Sequence, residues 1–228
     1  LLCISYRGVI ANETELIVVH SFRYLFKNID KNLMKDILRD YNLLCVFDEL
    51  SWILDFEWKN FDEIRGLNGR AVCQDSPKEF FIMRLSQYLA YNQKIIDYLY
   101  KDLKEIEKNG VNPIFDKYAR MMEFTDKEKF EDIKQNLEEL SPVKVHLLEN
   151  IKKILNDKSK NIPKELKRVR PTKSQHKRIS SNDYYVAEIT CLSLKTLWAI
   201  EEMIESPFYN LEENIYKNTK YLFEKVNN

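Results

Sequence analysis

An all-α, multi-helix bundle of about ten helices with one basic linker is the fold this sequence predicts, on three observations. Glycine and proline are scarce, 4 and 6 in 228 residues, and most stand where helices begin or end. Apolar residues recur at helical spacing along most of the chain. No stretch alternates apolar and polar residues long enough to require a sheet.

The elements follow in order. Asn12 with Glu15 makes a capping-box pattern ahead of LIVVHSFRYLF, and Leu33, Ile37, Leu38 and Tyr41 keep helical period. Residues 1–42 therefore read as an N-terminal helical segment. From Leu43 to Arg65, Phe47, Leu50, Leu54, Trp58 and Phe61 form the stripe of a longer helix, which Gly66 ends. Ser76-Pro77-Lys78-Glu79 combines an N-cap, a proline at the first helical position and a reciprocal glutamate, so a helix capped by Ser76 should begin at Pro77. That run breaks near Tyr91-Asn92, and Ile96, Leu99, Leu103 and Ile106 define the next, ending at Gly110. Asn112-Pro113 starts another helix and Thr125 with Glu128 opens the one after. Ser141-Pro142 begins a helix with Leu147, Leu148, Ile151, Ile154 and Leu155 on its buried face, closed at Asp157. Residues 158–182 carry Lys158, Lys160, Lys164, Lys167, Arg168, Arg170, Lys173, Lys177 and Arg178 against Glu165, and read as a solvated basic linker. Two C-terminal helices are expected, one from about Asp183 to Glu205 and one opened by Asn210 and Glu213.

Lys+Arg and Asp+Glu both number 36, so no general attraction to nucleic acid or to an anionic membrane follows, and nucleic acid is not an expected partner. No apolar run approaches the roughly 18 residues of a membrane span, and the opening LLCISYRGVI lacks the layout of a secretory signal. Cys3, Cys45, Cys73 and Cys191 are scattered without paired spacing and read as reduced thiols, which places the chain in the cytoplasm. His20, His146 and His176 are far apart, with no HExxH, so neither a metal nor a cofactor is expected. Tyr184, Tyr185, Trp198 and the Met121-Met122 pair fit core packing.

One segment departs from a plain bundle. GLNGRAVCQDSPKEFFIMRLSQYL places Arg70, Cys73, Gln74, Asp75, Arg84 and Gln87 in an otherwise aromatic stretch. On the helix from Pro77, positions 80, 84, 87 and 91 share a face, so Arg84 and Gln87 lie between Phe80 and Tyr91. Burial of those rings carries Arg84 inward, where it needs a carboxylate or carbonyl; Asp75 and Glu57 are the leading candidates. Arg70, Arg84 and Arg120 then have two readings. They form a buried network with Asp75, Glu57 or helix C-terminal carbonyls, or they share an anion site aided by the helix N-terminus at Pro77. Cys73 stands just ahead of that N-terminus and beside Arg70, an arrangement that can lower a thiol pKa, but no histidine base is close in sequence.

NGRAVCQDSPKEFFIMRLSQYL, followed by KYARMMEFTD, NDYYVAEITCLSLKTLWAIEEM and NIYKNTKYLF, resembles the bacterial family catalogued as domain of unknown function 4125, over about residues 43–228. The most specific runs are Gly69 to Asp75, Ile82 to Gln87 and Tyr118 to Met122. Val72, where a small residue is expected, and the long basic stretch before Asn182 depart from the pattern. The resemblance implies a fold and a bacterial cytoplasmic origin but supplies no activity. Residues 1–42 fall outside it and could be the tail of an upstream domain. Two functions are carried forward. One is a binding or regulatory domain for an anionic small molecule or a partner protein domain, with Arg70, Gln74, Arg84, Gln87, Tyr118 and Arg120 as ligand contacts. The other is an enzyme using Cys73 or Asp75 in the same pocket.

Overall fold

The computed structural model describes residues 25–27, 29–64, 72–160, 169–170 and 179–227. These form ten α-helices: α1 (Lys31–Asp40), α2 (Phe47–Glu63), α3 (Pro77–Tyr88), α4 (Gln93–Lys108), α5 (Pro113–Thr125), α6 (Lys127–Ile133), α7 (Pro142–Ser159), α8 (Ser181–Ile189), α9 (Leu194–Glu205) and α10 (Leu211–Asn227). The all-α expectation holds. Among the described residues the β pairing is one antiparallel pair of two-residue strands, Val169–Arg170 with Ile179–Ser180. The Asn12–Glu15 capping pattern and Gly66 lie outside the described residues.

Polar caps write the helix boundaries. Asp30, Asn92, Asn112, Ser141 and Asn210 each accept a backbone N–H in the first turn that follows, satisfying donors that have no intrahelical partner. Gly110 takes φ +68° after α4, a left-handed position that suits glycine. At the far end of α2, Gln74 Nε2 donates to the carbonyls of Phe61 and Ile64 at 2.5 and 2.7 Å, closing that terminus from a distant turn.

Three boundaries differ from the sequence reading. Helix α3 does begin at Pro77, but the Ser76 side chain makes no cap hydrogen bond. The cap of α6 is Asp126, which accepts from Lys129 N, while the Thr125 hydroxyl turns back to Met121 O. The expected helix from Asp183 to Glu205 is two helices. Ser193 caps α9 by accepting from Thr196 N, and Asp102 on α4 accepts from both Ser193 N and the Thr196 hydroxyl. A carboxylate from another helix thus fixes the break. The complete capping box belongs to α8, where Ser180 and Asp183 bond reciprocally. Ser180→Ala is therefore expected to cost about 1 kcal/mol, whereas Ser76→Ala should leave the urea midpoint unchanged. Equilibrium denaturation of the two variants checks this.

The basic linker is narrower than its composition suggests. Helix α7 runs on through Ser159, and Lys158 Nζ donates to Ser206 O and, at 2.6 Å, to Tyr209 O, terminal carbonyls beyond α9. At the other end Ile179 and Asn182 are buried. Residues 161–168 and 171–178 lie outside the described ones.

The core is one large cluster, with Trp58, Phe81, Leu85, Tyr88, Ile95, Ile151 and Ile200 among its members, to which α1, α2, α3, α4, α5, α7, α8, α9 and α10 contribute, and two small satellite clusters around Met121 and Met122. Helix α10 packs on α3, α5 on α8, α7 on α9, and α4 on both α2 and α9. Met34, Ile37 and Leu38 of α1 enter the same core, and the Tyr41 hydroxyl donates to Asn218 Oδ1 of α10. Met121 and Met122 are buried as expected, as are Tyr184 and Tyr185, but Trp198 is 53% exposed and is not a core residue. No described helix is long and apolar enough to cross a membrane.

Candidate functional site

Helix α3 carries an arginine into the core because its neighbours on that face are aromatic. Phe80, Arg84 and Tyr91 are all buried, Arg84 being only 7% exposed. A buried guanidinium needs a partner for each of its five N–H groups. Arg84 finds them all. Nε and Nη2 fork onto the Glu57 carboxylate of α2 at 2.8 and 2.7 Å, and Nη2 also donates to the Tyr88 hydroxyl at 2.6 Å. Nη1 donates to Gln87 Oε1 at 3.1 Å and to Glu188 Oε1 of α8 at 2.9 Å.

Glu188 extends the network. Its Oε1 accepts from Gln87 Nε2 at 2.6 Å, and its Oε2 pairs with the Lys117 ammonium of α5. Arg84 and Lys117 thus face Glu57 and Glu188 in a charge-balanced group that ties α2, α3, α5 and α8 together. Burial opposes each ionised form. For Arg84 that penalty is outweighed by Glu188 and Glu57, and its pKa lies well above the ordinary arginine value. For Glu188, burial is overcome by Arg84 and Lys117, and its carboxyl is held well below the usual carboxylate range. Tyr88 and Tyr185 are pushed up, chiefly by burial, and remain neutral phenols.

The network is a partition between two cavities. The larger, about 100 Å³, is lined on one side by Arg84, Gln87, Lys117 and Glu188 and elsewhere by Phe61, Phe80, Tyr118, Tyr184, Tyr185, Ser181, Asn182, Glu212 and others from α2, α3, α5, α8 and α10. Met83, Lys117 and Ser181 in its wall keep some solvent exposure. At roughly 30 Å³ per water of liquid volume, it has room for about three waters or a small organic molecule. The smaller cavity, about 30 Å³, lies behind Arg84 and Glu188 beside Tyr88, Tyr91 and Cys191. Burial, reinforced by Asp116 and Glu188, pushes the Cys191 thiol up to about 12, so it stays protonated.

The sequence candidates separate on the structure. Arg84, Gln87 and Tyr118 meet at the larger cavity. Gln74 is buried in its capping role at α2. Arg120 pairs with Asp116 at 2.8 Å and donates to Glu138 O at 3.1 Å, and does not line either cavity. Asp75 is exposed and likewise outside both. Arg70 and the Cys73 side chain lie outside the described residues. Of the two acids named as partners for Arg84, Glu57 is the one engaged, and Glu188 and Lys117 are additions. Their signal was periodic: Glu188 follows the buried Tyr184 and Tyr185 by four and three residues, and Lys117 sits three after Ile114 and four before Met121. Among the described residues no three of His, Cys, Asp or Glu gather at metal-ligating geometry.

Helical caps, an aromatic core and a buried ion network beside a small, partly open cavity define a helical-bundle domain. A family model described as Protein of unknown function (DUF4125) matches residues 50–226, and the chain belongs to that family. Neither a curated protein nor a solved structure matches it.

Proposed function

We propose that the chain is a cytoplasmic, non-catalytic binding domain that holds a small polar molecule in the cavity formed by α2, α3, α5, α8 and α10. The observation that carries this reading is the cavity itself: about 100 Å³, with a fixed, charge-balanced wall of Arg84, Gln87, Lys117 and Glu188 facing aromatic rings. Arg84 serves as scaffold and not as a ligand fork, because its five donors already have protein acceptors. It orients Gln87 and Glu188, and these, with Lys117 and Tyr118, face the ligand. No cysteine or histidine stands among the described residues lining this cavity, which favours binding over nucleophilic catalysis. The free thiols Cys45 and Cys191 support a reducing compartment.

A thermal-shift screen of metabolites tests the proposal against Ile215→Trp, which fills the cavity. A ligand at 100 times its dissociation constant should stabilise the native protein by about 2.7 kcal/mol, and the filled variant should lose that shift. Compounds that shift both proteins equally, or no shift from any compound, would overturn it.

A further inference from the structure

Helix α9 holds a tryptophan on its outer face and carries its charges against its own dipole. The exposed face reads Lys195, Trp198, Glu202 and Glu205, at the three- and four-residue spacing of one helical stripe. The lysine stands in the first turn and the two glutamates in the last, whereas the positive N-terminal and negative C-terminal ends of a helix favour the reverse. Within the chain α4 answers this on one side. It runs antiparallel to α9, with Asp102 at the α9 N-terminus and Lys94 paired with Glu202 at 3.2 Å towards the other end. The outer side stays open. Among the described residues no acid pairs with Lys195, whose ammonium lies over the Tyr98 ring at 4.2 Å, and no base pairs with Glu205. Glu202 is still 76% exposed in its pair with Lys94, and more than half of Trp198 faces solvent.

This stripe is complementary to itself. In a two-fold pair every contact is made twice, residue i on j and j on i. Lys195 stands three residues before Trp198 and Glu202 four after it. An axis beside Trp198, perpendicular to α9, therefore lays two copies of the helix antiparallel, brings indole against indole and sets Lys195 of each copy against Glu202 of the other. Glu205 then approaches the N-terminal end of the opposite helix, which is positive. A central tryptophan ringed by charges is also the composition of an interface hot spot. We infer that the chain forms a homodimer through this face of α9. A second copy fits because the order base, aromatic, acid is answered by the same order read backwards, as α4 already answers the inner side. Among the described residues lining the larger cavity none lies on α9, so the dimer and the ligand site are independent.

Sedimentation velocity of the full chain over a concentration series tests the dimer. One helix face makes a small interface, so a reversible dimer with a micromolar dissociation constant is expected. Trp198→Ala should weaken it about thirtyfold or more. Lys195→Glu and Glu202→Lys should each leave the protein monomeric, because like charges then meet across the axis. An equimolar mixture of those two variants should associate again, as should a chain carrying both changes. All three positions are exposed, so the melting temperatures should stay close to that of the wild-type monomer. A wild-type chain that is monomeric at every concentration would overturn the dimer and leave the Trp198 face to another protein. A dimer that survives Trp198→Ala, or charge variants whose mixture does not associate, would overturn the pairing through α9.

Discussion

Arg84→Met alone is expected to lower the unfolding free energy by about 3 to 5 kcal/mol, and Arg84→Met with Glu57→Leu to recover most of that loss. The first variant strands the Glu57 carboxylate, which is 5% exposed and has given up water for the Arg84 fork. An uncompensated buried charge costs that much, whereas a whole buried pair replaced by apolar side chains of similar volume is often neutral or stabilising. The double variant removes one positive and one negative charge and leaves Lys117 paired with Glu188, so the remaining group is still balanced. A double-mutant cycle by urea denaturation measures the coupling. Additive losses would show that Arg84 and Glu57 are not a unit. The cycle also separates scaffold from ligand contact: a scaffold arginine can be replaced together with its partner while the fold survives.

Local signals in the sequence carried most of the fold, and the misses came from distant contacts and from backbone geometry. Asn112, Ser141 and Asn210 cap because the residue that accepts the hydrogen bond is two or three positions from the one that donates it. The break between α8 and α9 was invisible because the apolar phase continues through it and the carboxylate that pins it, Asp102, is 91 residues from Ser193. Ser76 has the right neighbours for a cap, but its backbone, at φ −117° and ψ 70°, does not bring the hydroxyl to the helix. At the site, the face shared by Phe80, Arg84, Gln87 and Tyr91 made burial of Arg84 legible, and with it the need for an acid, for which Glu57 was one of two candidates. Glu188 and Lys117 meet Arg84's face from 104 and 33 positions away in sequence, and only packing of α5 on α8 brings them there. The cavity is a still longer-range property, since helices α2, α3, α5, α8 and α10 all wall it.

Glu188→Gln should be the second large loss, about 3 kcal/mol or more at neutral pH, and it should change the shape of the acid limb as well as its height. Glu188 is the carboxylate that Arg84 and Lys117 share, so its neutralisation leaves two largely buried cations with Glu57 as the one acid of the group. The amide keeps the shape of the side chain, which confines the effect to charge. The pH dependence follows from the direction of its shift. The native carboxyl is held below the ordinary value, so the unfolded chain takes up a proton first as pH falls. The stabilisation is therefore complete above the unfolded glutamate pKa of about 4.3. It declines below that value, by up to about 1.4 kcal/mol per pH unit, until the native carboxyl itself protonates. Wild type should lose stability more steeply than Glu188→Gln from about pH 4 downward, and the two curves should converge at the acid end. Urea midpoints measured across that range supply the comparison. Parallel curves would mean that Glu188 titrates normally in the native protein and that the network does not bind it as a shared counter-ion.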